Sequence, residues 1–241
     1  TIEEGMNNTI ISNTIRSHKF SGIFFDGGNN NTVEFNSIWN NREAIWLHFG
    51  SNNLITFNNI SSNSNGIVVT GDSDSNQIIS NNIYMNRDDG IYLISSKNVI
   101  VNNTLHSNSV NGISLVGRNN IVAFNDISGS VRGVLVKSKL DFFKVISRNN
   151  TVTSNNIHSN NYGVYLDWQT DSNIVSSNNI SFNNWYGVYI NSSSNSSIFY
   201  NNISNNARGV FIGSSWSNNV TSNYIYSNRD CGILLYLSNN N

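Results

Sequence analysis

Apolar residues recur along this chain in short alternating pairs, each followed by a polar turn. One unit describes the pattern: Asn-x-[Ile/Val]-x-x-Asn-x-[Ile/Leu]-x-x-Asn, two or three residues, and then Gly-[Ile/Val]-x-apolar. The unit recurs about every 22 residues, in ten copies. Alternation with period two is typical of β-strands, and a fixed period of this length is typical of stacked repeats. The pattern therefore predicts short strands that stack coil upon coil.

Three columns of the repeat stay in register along the whole chain. The central asparagine is present in every copy: Asn13, Asn36, Asn58, Asn81, Asn103, Asn125, Asn155, Asn178, Asn201 and Asn223. The asparagine five residues earlier is replaced only by Ser196: Asn8, Asn31, Asn53, Asn76, Asn98, Asn120, Asn150, Asn173 and Asn218. The glycine that opens the last strand is replaced only by Ala44: Gly22, Gly66, Gly90, Gly112, Gly133, Gly163, Gly187, Gly209 and Gly232.

Strands of three or four residues are too short to form a stable sheet alone. Stacking solves this problem, because each strand then pairs in parallel with its copies about 4.8 Å above and below. The asparagine columns lie at the turns, where asparagine tolerates a left-handed backbone and its amide can hydrogen-bond from coil to coil. We predict an all-β right-handed parallel β-helix, a solenoid of about ten coils.

The domain prediction is a single β-helix over residues 1–241, with one irregular coil. Gly133 and Asn150 are 17 residues apart where eight to ten is usual, which predicts an inserted loop at about residues 137–147. Neither end of the sequence shows a capping helix, and Asn241 would open an eleventh coil. We therefore expect a segment of a longer solenoid, or a unit that stacks end to end on other copies.

Composition excludes several classes of partner. Charged residues make up 11% of the chain, the net charge is −1 and no basic run occurs, which argues against a nucleic-acid partner. No stretch approaches the roughly 20 continuous apolar residues that span a membrane. The single cysteine, Cys231, excludes an internal disulfide. The absence of proline suits a chain that lies mostly in sheet ladders.

The Asn-x-Ile-x-x-Asn-x-x-Gly-Ile-x-Leu unit resembles the parallel β-helix repeat of NosD-like proteins and of many archaeal and bacterial surface proteins. The wider superfamily includes pectate lyases, polygalacturonases, alginate epimerases, phage tailspikes, adhesins and NosD itself, which is linked to copper delivery. The resemblance covers essentially the whole chain. It implies an extracellular or otherwise extracytoplasmic protein that deals with polysaccharide or builds a surface, but a fold of this kind does not define the function.

Groups for catalysis are sparse, and no residue is predicted to be catalytic. Asp88-Asp89 lacks the partners that polygalacturonase-like enzymes carry in adjacent coils, and the Asp-Pro-His motif of alginate epimerases is absent. The best candidates are Asp26 and His48, which fall in one outward column roughly 5 Å apart, with Glu43 nearby. A carboxylate that orients a histidine is an acid–base unit. A surface ion pair is the simpler interpretation.

Metal ligands are equally sparse. The four histidines form no chelating pair: His18, His48, His106 and His158. Two methionines and one cysteine cannot build a soft copper site. Asp72 and Asp74 are most simply residues of a solvated turn. We therefore predict neither a metal nor another cofactor.

An aromatic stripe is the most suggestive feature. The outward position of the glycine-started strand is aromatic in six of ten coils: Phe24, Trp46, Tyr92, Tyr165, Tyr189 and Phe211. A contiguous apolar band on a surface needs an explanation. Three interpretations stay open: a track on which sugar rings stack, an interface with another protomer, or aromatic residues that stabilise neighbouring strands.

Three functional hypotheses follow. The first is a non-catalytic structural or adhesive extracellular surface protein that associates with copies of itself through the outer face or the coil ends. The second is a protein that binds or cleaves polysaccharide. The third is a NosD-like periplasmic accessory protein. If the protein is secreted, the outward sequons at Asn191 and Asn195 are candidate glycosylation sites.

Overall fold

The computed structural model describes residues 1–139 and 145–241, and all regular elements within them are short strands. They are numbered along the chain: β1 (Ile2–Glu3), β2 (Thr9–Ile11), β3 (Thr14–Arg16), β4 (Ile23–Asp26), β5 (Thr32–Glu34), β6 (Ser37–Trp39), β7 (Glu43–His48), β8 (Leu54–Thr56), β9 (Asn59–Ser61), β10 (Asn65–Thr70), β11 (Gln77–Ile79), β12 (Asn82–Tyr84), β13 (Ile91–Ile94), β14 (Val99–Val101), β15 (Thr104–His106), β16 (Asn111–Val116), β17 (Ile121–Ala123), β18 (Asp126–Ser128), β19 (Arg132–Val136), β20 (Thr151–Thr153), β21 (Asn156–His158), β22 (Tyr162–Leu166), β23 (Ile174–Ser176), β24 (Asn179–Ser181), β25 (Tyr186–Asn191), β26 (Ser197–Phe199), β27 (Asn202–Ser204), β28 (Arg208–Gly213), β29 (Asn219–Thr221), β30 (Tyr224–Tyr226) and β31 (Cys231–Tyr236).

Three parallel sheets run the length of the molecule and confirm the predicted solenoid. Sheet A takes every third strand from β1 to β31, sheet B every third strand from β2 to β29, and sheet C every third strand from β3 to β30. Each strand therefore pairs with its equivalent in the next coil. No helix in the described part of the chain is long and apolar enough to cross a membrane.

The core is a set of stacked aliphatic side chains inside the three sheets. Ile45 and Leu47 point inward from sheet A, Ile55 from sheet B and Ile60 from sheet C, and all four are fully buried. The same positions are buried in the neighbouring coils, so the apolar column continues along the axis. Burial of a side chain of this size contributes roughly 1.5–3 kcal/mol relative to its exposure.

Asparagine ladders close the three corners of each coil. Asn58 is typical: its backbone N–H and its side-chain Nδ2 both donate to Oδ1 of Asn81 in the next coil, at 3.0 Å. The same Nδ2 donates to the carbonyl oxygen of Val33 in the preceding coil, at 2.9 Å. One buried amide thus connects three coils. Where Ser196 interrupts a ladder, Nδ2 of Asn173 is left buried without a hydrogen-bond partner.

The left-handed backbone lies one residue before each ladder asparagine, so the expectation that the asparagines themselves adopt it was wrong. Serine and asparagine are the usual residues at these positions, but Phe35, Phe57 and Phe124 adopt φ of 55°, 52° and 57°. All three phenylalanines are more than half exposed. The left-handed conformation costs a non-glycine residue roughly 1–2 kcal/mol, and a phenylalanine side chain has no polar group that could offset this cost by a local hydrogen bond.

The glycine column is required by close packing. A Cβ atom on Gly66 would lie 2.3 Å from the carbonyl oxygen of Gly90 and 2.8 Å from Cγ2 of Ile83. Its φ is not positive, so the reason is steric and not conformational. The glycine allows the chain to turn tightly from sheet C into sheet A.

The predicted loop at 137–147 is an insertion between sheets A and B, and its residues 140–144 lie outside the described residues. At its base, Lys139 and Val145 exchange two antiparallel backbone hydrogen bonds of 2.9 and 2.8 Å. The Ser138 hydroxyl accepts from the Ser147 backbone and donates to the Gln169 carbonyl oxygen. The base of the insertion is therefore fixed to the next coil.

We expect Asn103→Ala to destabilise the protein by roughly 2–5 kcal/mol, because buried orphan groups each cost about 1–3 kcal/mol. The change would remove the acceptor of the Asn81 backbone N–H and the donor to the Ile78 carbonyl oxygen. Urea unfolding followed by circular dichroism measures the effect. As a control, Asn82→Ala removes an exposed amide bonded to Asn59 and should change stability by less than about 0.5 kcal/mol. Equal losses in the two variants would contradict a special role for the buried ladder.

Candidate functional site

The outer face of sheet A carries the predicted aromatic column. Register pairs each outward residue with its equivalent in the next coil, in the order Phe24, Trp46, Val68, Tyr92, Ser114, Leu135, Tyr165, Tyr189, Phe211 and Leu234. The six aromatic residues therefore do lie along one line parallel to the axis.

The column is divided into two aromatic groups. Val68, Ser114 and Leu135 point outward yet are only 6%, 0% and 4% exposed, so Tyr92 is the one residue of this middle part of the column that reaches solvent. At one end Phe24 packs against Trp46, with ring centroids 4.8 Å apart. The other end carries the larger group. A continuous track along all ten coils is therefore excluded.

A second outward column, which the sequence analysis did not recognise, runs beside the first. It consists of the residue immediately before each glycine, or before Ala44: Ser21, Glu43, Asn65, Asp89, Asn111, Arg132, Tyr162, Tyr186, Arg208 and Cys231. Register pairs Arg132 with Tyr162, Tyr162 with Tyr186, and Tyr186 with Arg208. The sequence could have revealed this column, because its residues hold a fixed place in the repeat, directly before the glycine or before Ala44.

The two columns combine into a cluster of five half-buried rings, which we call the tyrosine patch: Tyr162, Tyr165, Tyr186, Tyr189 and Phe211. Tyr189 packs edge-on against Tyr165 and stacks on Phe211, each at a centroid distance of 4.7 Å. Tyr162 stacks on Tyr186 at 5.7 Å. Rings in such arrangements stabilise one another by about 0.5–1.5 kcal/mol per pair.

The hydroxyls of Tyr162, Tyr165 and Tyr189 are neutral at physiological pH, because the pKa of each is raised. Burial is the main cause that raises the pKa of Tyr162, Tyr165 and Tyr189 above the usual value, and the charge of Asp167 raises the pKa of Tyr165 further. A neutral phenol both donates and accepts a hydrogen bond. The patch therefore presents apolar ring faces together with uncharged polar groups.

A polar cluster lies in the middle of the face. Oδ1 of Asp89 accepts from Nδ2 of Asn111 at 2.7 Å, and the Lys137 Nζ lies 5.8 Å from the centroid of the Tyr92 ring. Burial raises the pKa of Asp89, although the hydrogen bond from Asn111 and the charge of Lys137 oppose this shift. A buried carboxyl with a raised pKa is a common feature of functional sites. This cluster was not predicted.

The candidate pair Asp26 and His48 is in contact, with Oδ1 of Asp26 at 3.0 Å from Nδ1 of His48. Both side chains are partly exposed, at 48% and 32%. Glu43 lies at the other end of β7 and forms an ion pair with Arg42 at 3.3 Å. The structure therefore brings two of the three candidates together, and the geometry is that of a partly exposed hydrogen bond between a carboxylate and an imidazole.

The remaining predicted positions lie elsewhere. Asn191 is half-buried at the end of β25, whereas Asn195 is exposed and donates to Asp171 at 2.8 Å. Asp74 accepts from the Ser96 backbone and lies 3.5 Å from Lys97. No cluster of three or more metal-ligating His, Cys, Asp or Glu occurs in residues 1–139 and 145–241.

Comparison with known families supports the fold described above. The family described as "Right handed beta helix region" matches residues 1–141 and 100–241, which together span the chain. The chain belongs to this family. No curated protein matches the β-helix by sequence.

Several solved structures share the fold at low sequence identity. The A-module of the Azotobacter vinelandii mannuronan C-5 epimerase AlgE6 matches with a TM-score of 0.68 and 12% identity, over 98% of this chain and 80% of that one. A mutant tailspike protein of E. coli bacteriophage HK620 in complex with pentasaccharide matches with 0.65 and 11%, over 97% and 48%. The catalytic domain of a GH87 α-1,3-glucanase in complex with tetrasaccharides matches with 0.62 and 14%, over 96% and 53%.

These similarities establish the β-helix fold and not an activity, because the identities are far below the level at which function is shared. This chain spans about half the length of the tailspike and glucanase chains. The three proteins named above nevertheless all act on or bind carbohydrate.

We expect Asp89→Asn to stabilise the protein at pH 7 by on the order of 1 kcal/mol. With the folded pKa raised, the folded state binds the proton more tightly than the unfolded chain. Stability therefore falls as the pH rises from the unfolded pKa through the folded pKa, and asparagine removes this loss. Unfolding at pH 3 and pH 7 measures it: the gain should be present at pH 7 and absent at pH 3.

The control for this experiment is Asp88→Asn, which removes the neighbouring exposed carboxylate. It should alter stability by less than about 0.5 kcal/mol at either pH. A variant Asp89→Asn that is less stable than the wild type at pH 7 would show that the carboxylate stabilises the fold through Lys137.

Proposed function

We propose that this protein binds an extended polysaccharide on the outer face of sheet A, and that the tyrosine patch is the contact. The observation that carries the proposal is the clustering of Tyr162, Tyr165, Tyr186, Tyr189 and Phe211 in two adjacent outward columns. Monomeric proteins rarely present such aromatic groups to solvent without a partner. The residues contribute nothing to the inner core, which is complete without them.

The chemistry of the patch suits a carbohydrate. The two faces of a sugar ring carry C–H groups that pack on aromatic rings, whereas the hydroxyl groups at the edge need hydrogen-bond partners. Tyrosine supplies both kinds of contact from one rigid side chain. From Tyr165 to Phe211 the patch spans two coil steps, roughly 10 Å along the axis. This length can accommodate a short run of consecutive sugar rings.

The similar structures favour the same conclusion. The epimerase, the tailspike and the glucanase are built on the same solenoid, and two of them are described in complex with oligosaccharides. Polysaccharide ligands of this kind fit an extracellular location, which we propose for this protein as well. Binding is the function proposed, and turnover is not part of it.

Self-association, the first hypothesis from the sequence, remains a prediction. It would use the same aromatic surface or the ends of the coils, and sedimentation across a concentration series tests it. The single-domain organisation over residues 1–241, glycosylation at Asn191 and Asn195, and the NosD-like accessory role also remain predictions. Neither the glycosylation sites nor the accessory role has an observation in its favour comparable to the tyrosine patch.

We expect the double variant Tyr165→Ala/Tyr189→Ala to weaken polysaccharide binding at least tenfold, about 1.4 kcal/mol, because it removes the two central rings of the patch. A glycan array identifies the ligand, and isothermal titration calorimetry then gives the affinities.

A matched control is Tyr84→Ala, which removes a tyrosine stacked on His106 on the outer face of sheet C. It should leave the affinity unchanged within about twofold. Thermal unfolding of each variant checks that the solenoid is intact. An array without hits, or equal affinity of the double variant and the wild type, would contradict the proposed function.

A further inference from the structure

Two arginines occupy equivalent positions at the two ends of the tyrosine patch. Arg132 precedes Tyr162 in the second outward column, and Arg208 follows Tyr186 in the same column. Each guanidinium lies over a tyrosine ring at 5.3 Å from its centroid, Arg132 over Tyr165 and Arg208 over Tyr186. By position alone the two residues are a matched pair.

Their charge environments differ. Nε of Arg208 lies 3.5 Å from Oδ2 of Asp230, and its Nη1 donates to the Tyr186 hydroxyl at 2.6 Å. Nη1 of Arg132 makes only a long contact of 3.4 Å with Oδ1 of Asn111. Nε of Arg132 is buried without any hydrogen-bond partner.

The neighbouring carboxylates do not compensate the charge of Arg132. Asp89 already accepts from Asn111 and interacts with Lys137, and Asp167 follows the last residue of β22, whereas Arg132 pairs with the first, Tyr162. Within residues 1–139 and 145–241 no acidic group forms an ion pair with Arg132. In the described part of the chain, the Arg132 guanidinium is therefore set against an aromatic surface without an acidic partner.

Guanidinium chemistry indicates which ligand group would complete this arrangement. The planar fork of donors matches a carboxylate, which accepts two parallel N–H bonds, and such charge-assisted bonds are roughly twice as strong as neutral ones. Nε of Arg132 has no hydrogen-bond partner, and within the described residues its two terminal nitrogens donate to no acidic group. A sugar ring that rests on Tyr165 would bring a substituent on its edge close to them.

We propose that Arg132 binds the carboxylate of a uronic acid unit while the tyrosine patch holds the sugar rings, so that the ligand is an acidic polysaccharide. This inference rests on the proposed function, and it adds a residue that selects for charge. Arg208 contacts the same ligand mainly through packing, since its guanidinium already lies beside Asp230, which it shares with Arg229, and donates to the Tyr186 hydroxyl.

The test compares uronic acid hexamers with the same hexamers after reduction of their carboxyl groups to primary alcohols. A panel of galacturonate, mannuronate and glucuronate hexamers serves as the probe, with isothermal titration calorimetry at 50 mM and 300 mM salt. The wild type should bind one acidic hexamer at least tenfold more tightly than its reduced form. Raised salt should narrow that difference.

Arg132→Gln should lose that preference, with at least tenfold weaker binding of the acidic hexamer and less than twofold change for the reduced one. Arg208→Gln should change both affinities by less than threefold. Arg132→Lys should recover only part of the preference, because an ammonium group cannot form the paired bonds. Circular dichroism melting of each variant controls for folding.

The outcomes separate this inference from the proposed function. Equal binding of acidic and reduced hexamers by the wild type, with loss of both in Tyr165→Ala/Tyr189→Ala, would overturn the role of Arg132 and retain the polysaccharide site. Tighter Arg132-dependent binding of a sulfated neutral hexamer than of any uronate would also overturn the assignment to a carboxylate. A lack of binding to every hexamer, together with an empty glycan array, would overturn both.

Discussion

The structure depends on one hydrogen-bonding arrangement, the buried asparagine amide that bonds to the coil above and the coil below. A solenoid corner turns the backbone sharply and leaves N–H and C=O groups that neither sheet can pair. Asn58 meets this need with one side chain, since its Oδ1 accepts and its Nδ2 donates along the axis. An orphan group at such a corner would cost about 1–3 kcal/mol, and the cost would recur in every coil. Ser196 shows that a shorter side chain cannot replace the ladder asparagine fully, because it leaves Nδ2 of Asn173 unpaired.

Most of the fold could be predicted because the ladder forces the repeat to remain visible in the sequence. The central asparagine from Asn13 to Asn223, the glycine column and the outward register of Phe24 and Trp46 were all readable without a structure. The positions of the left-handed residues were not, since the ladder asparagine and the residue before it both have polar side chains in most coils. Phe57 could have indicated the left-handed position, because a large apolar residue interrupts the polar turn there.

The candidate site was predicted only in part, for a physical reason. Inward positions must fit a narrow core and one another, which constrains them to a few aliphatic residues. Outward positions obey no such rule, so their grouping depends on which columns are adjacent in space and which are covered. The sequence indicated Tyr165 and Tyr189, but the contact of Tyr162 with both columns and the closure above Ser114 required coordinates. The same freedom allows one scaffold to support an epimerase, a tailspike and a glucanase.

The inserted loop shows that a coil can contain extra residues without any change in the spacing of the coils along the axis. Ladder partners are 22 or 23 residues apart in most coils, yet Asn120 and Asn150 bond in the same geometry across 30 residues. The hydrogen bonds at the corner therefore fix the spacing between neighbouring coils, whatever the number of residues that connect them. The two backbone hydrogen bonds between Lys139 and Val145 close the base of this excursion. A foreign peptide spliced between those two residues would be displayed at a defined height on a rigid rod, and loop-closure entropy increases only slowly with its length. Because the coils are evenly spaced, a segment inserted in a chosen coil would lie at a known position along the axis of the β-helix.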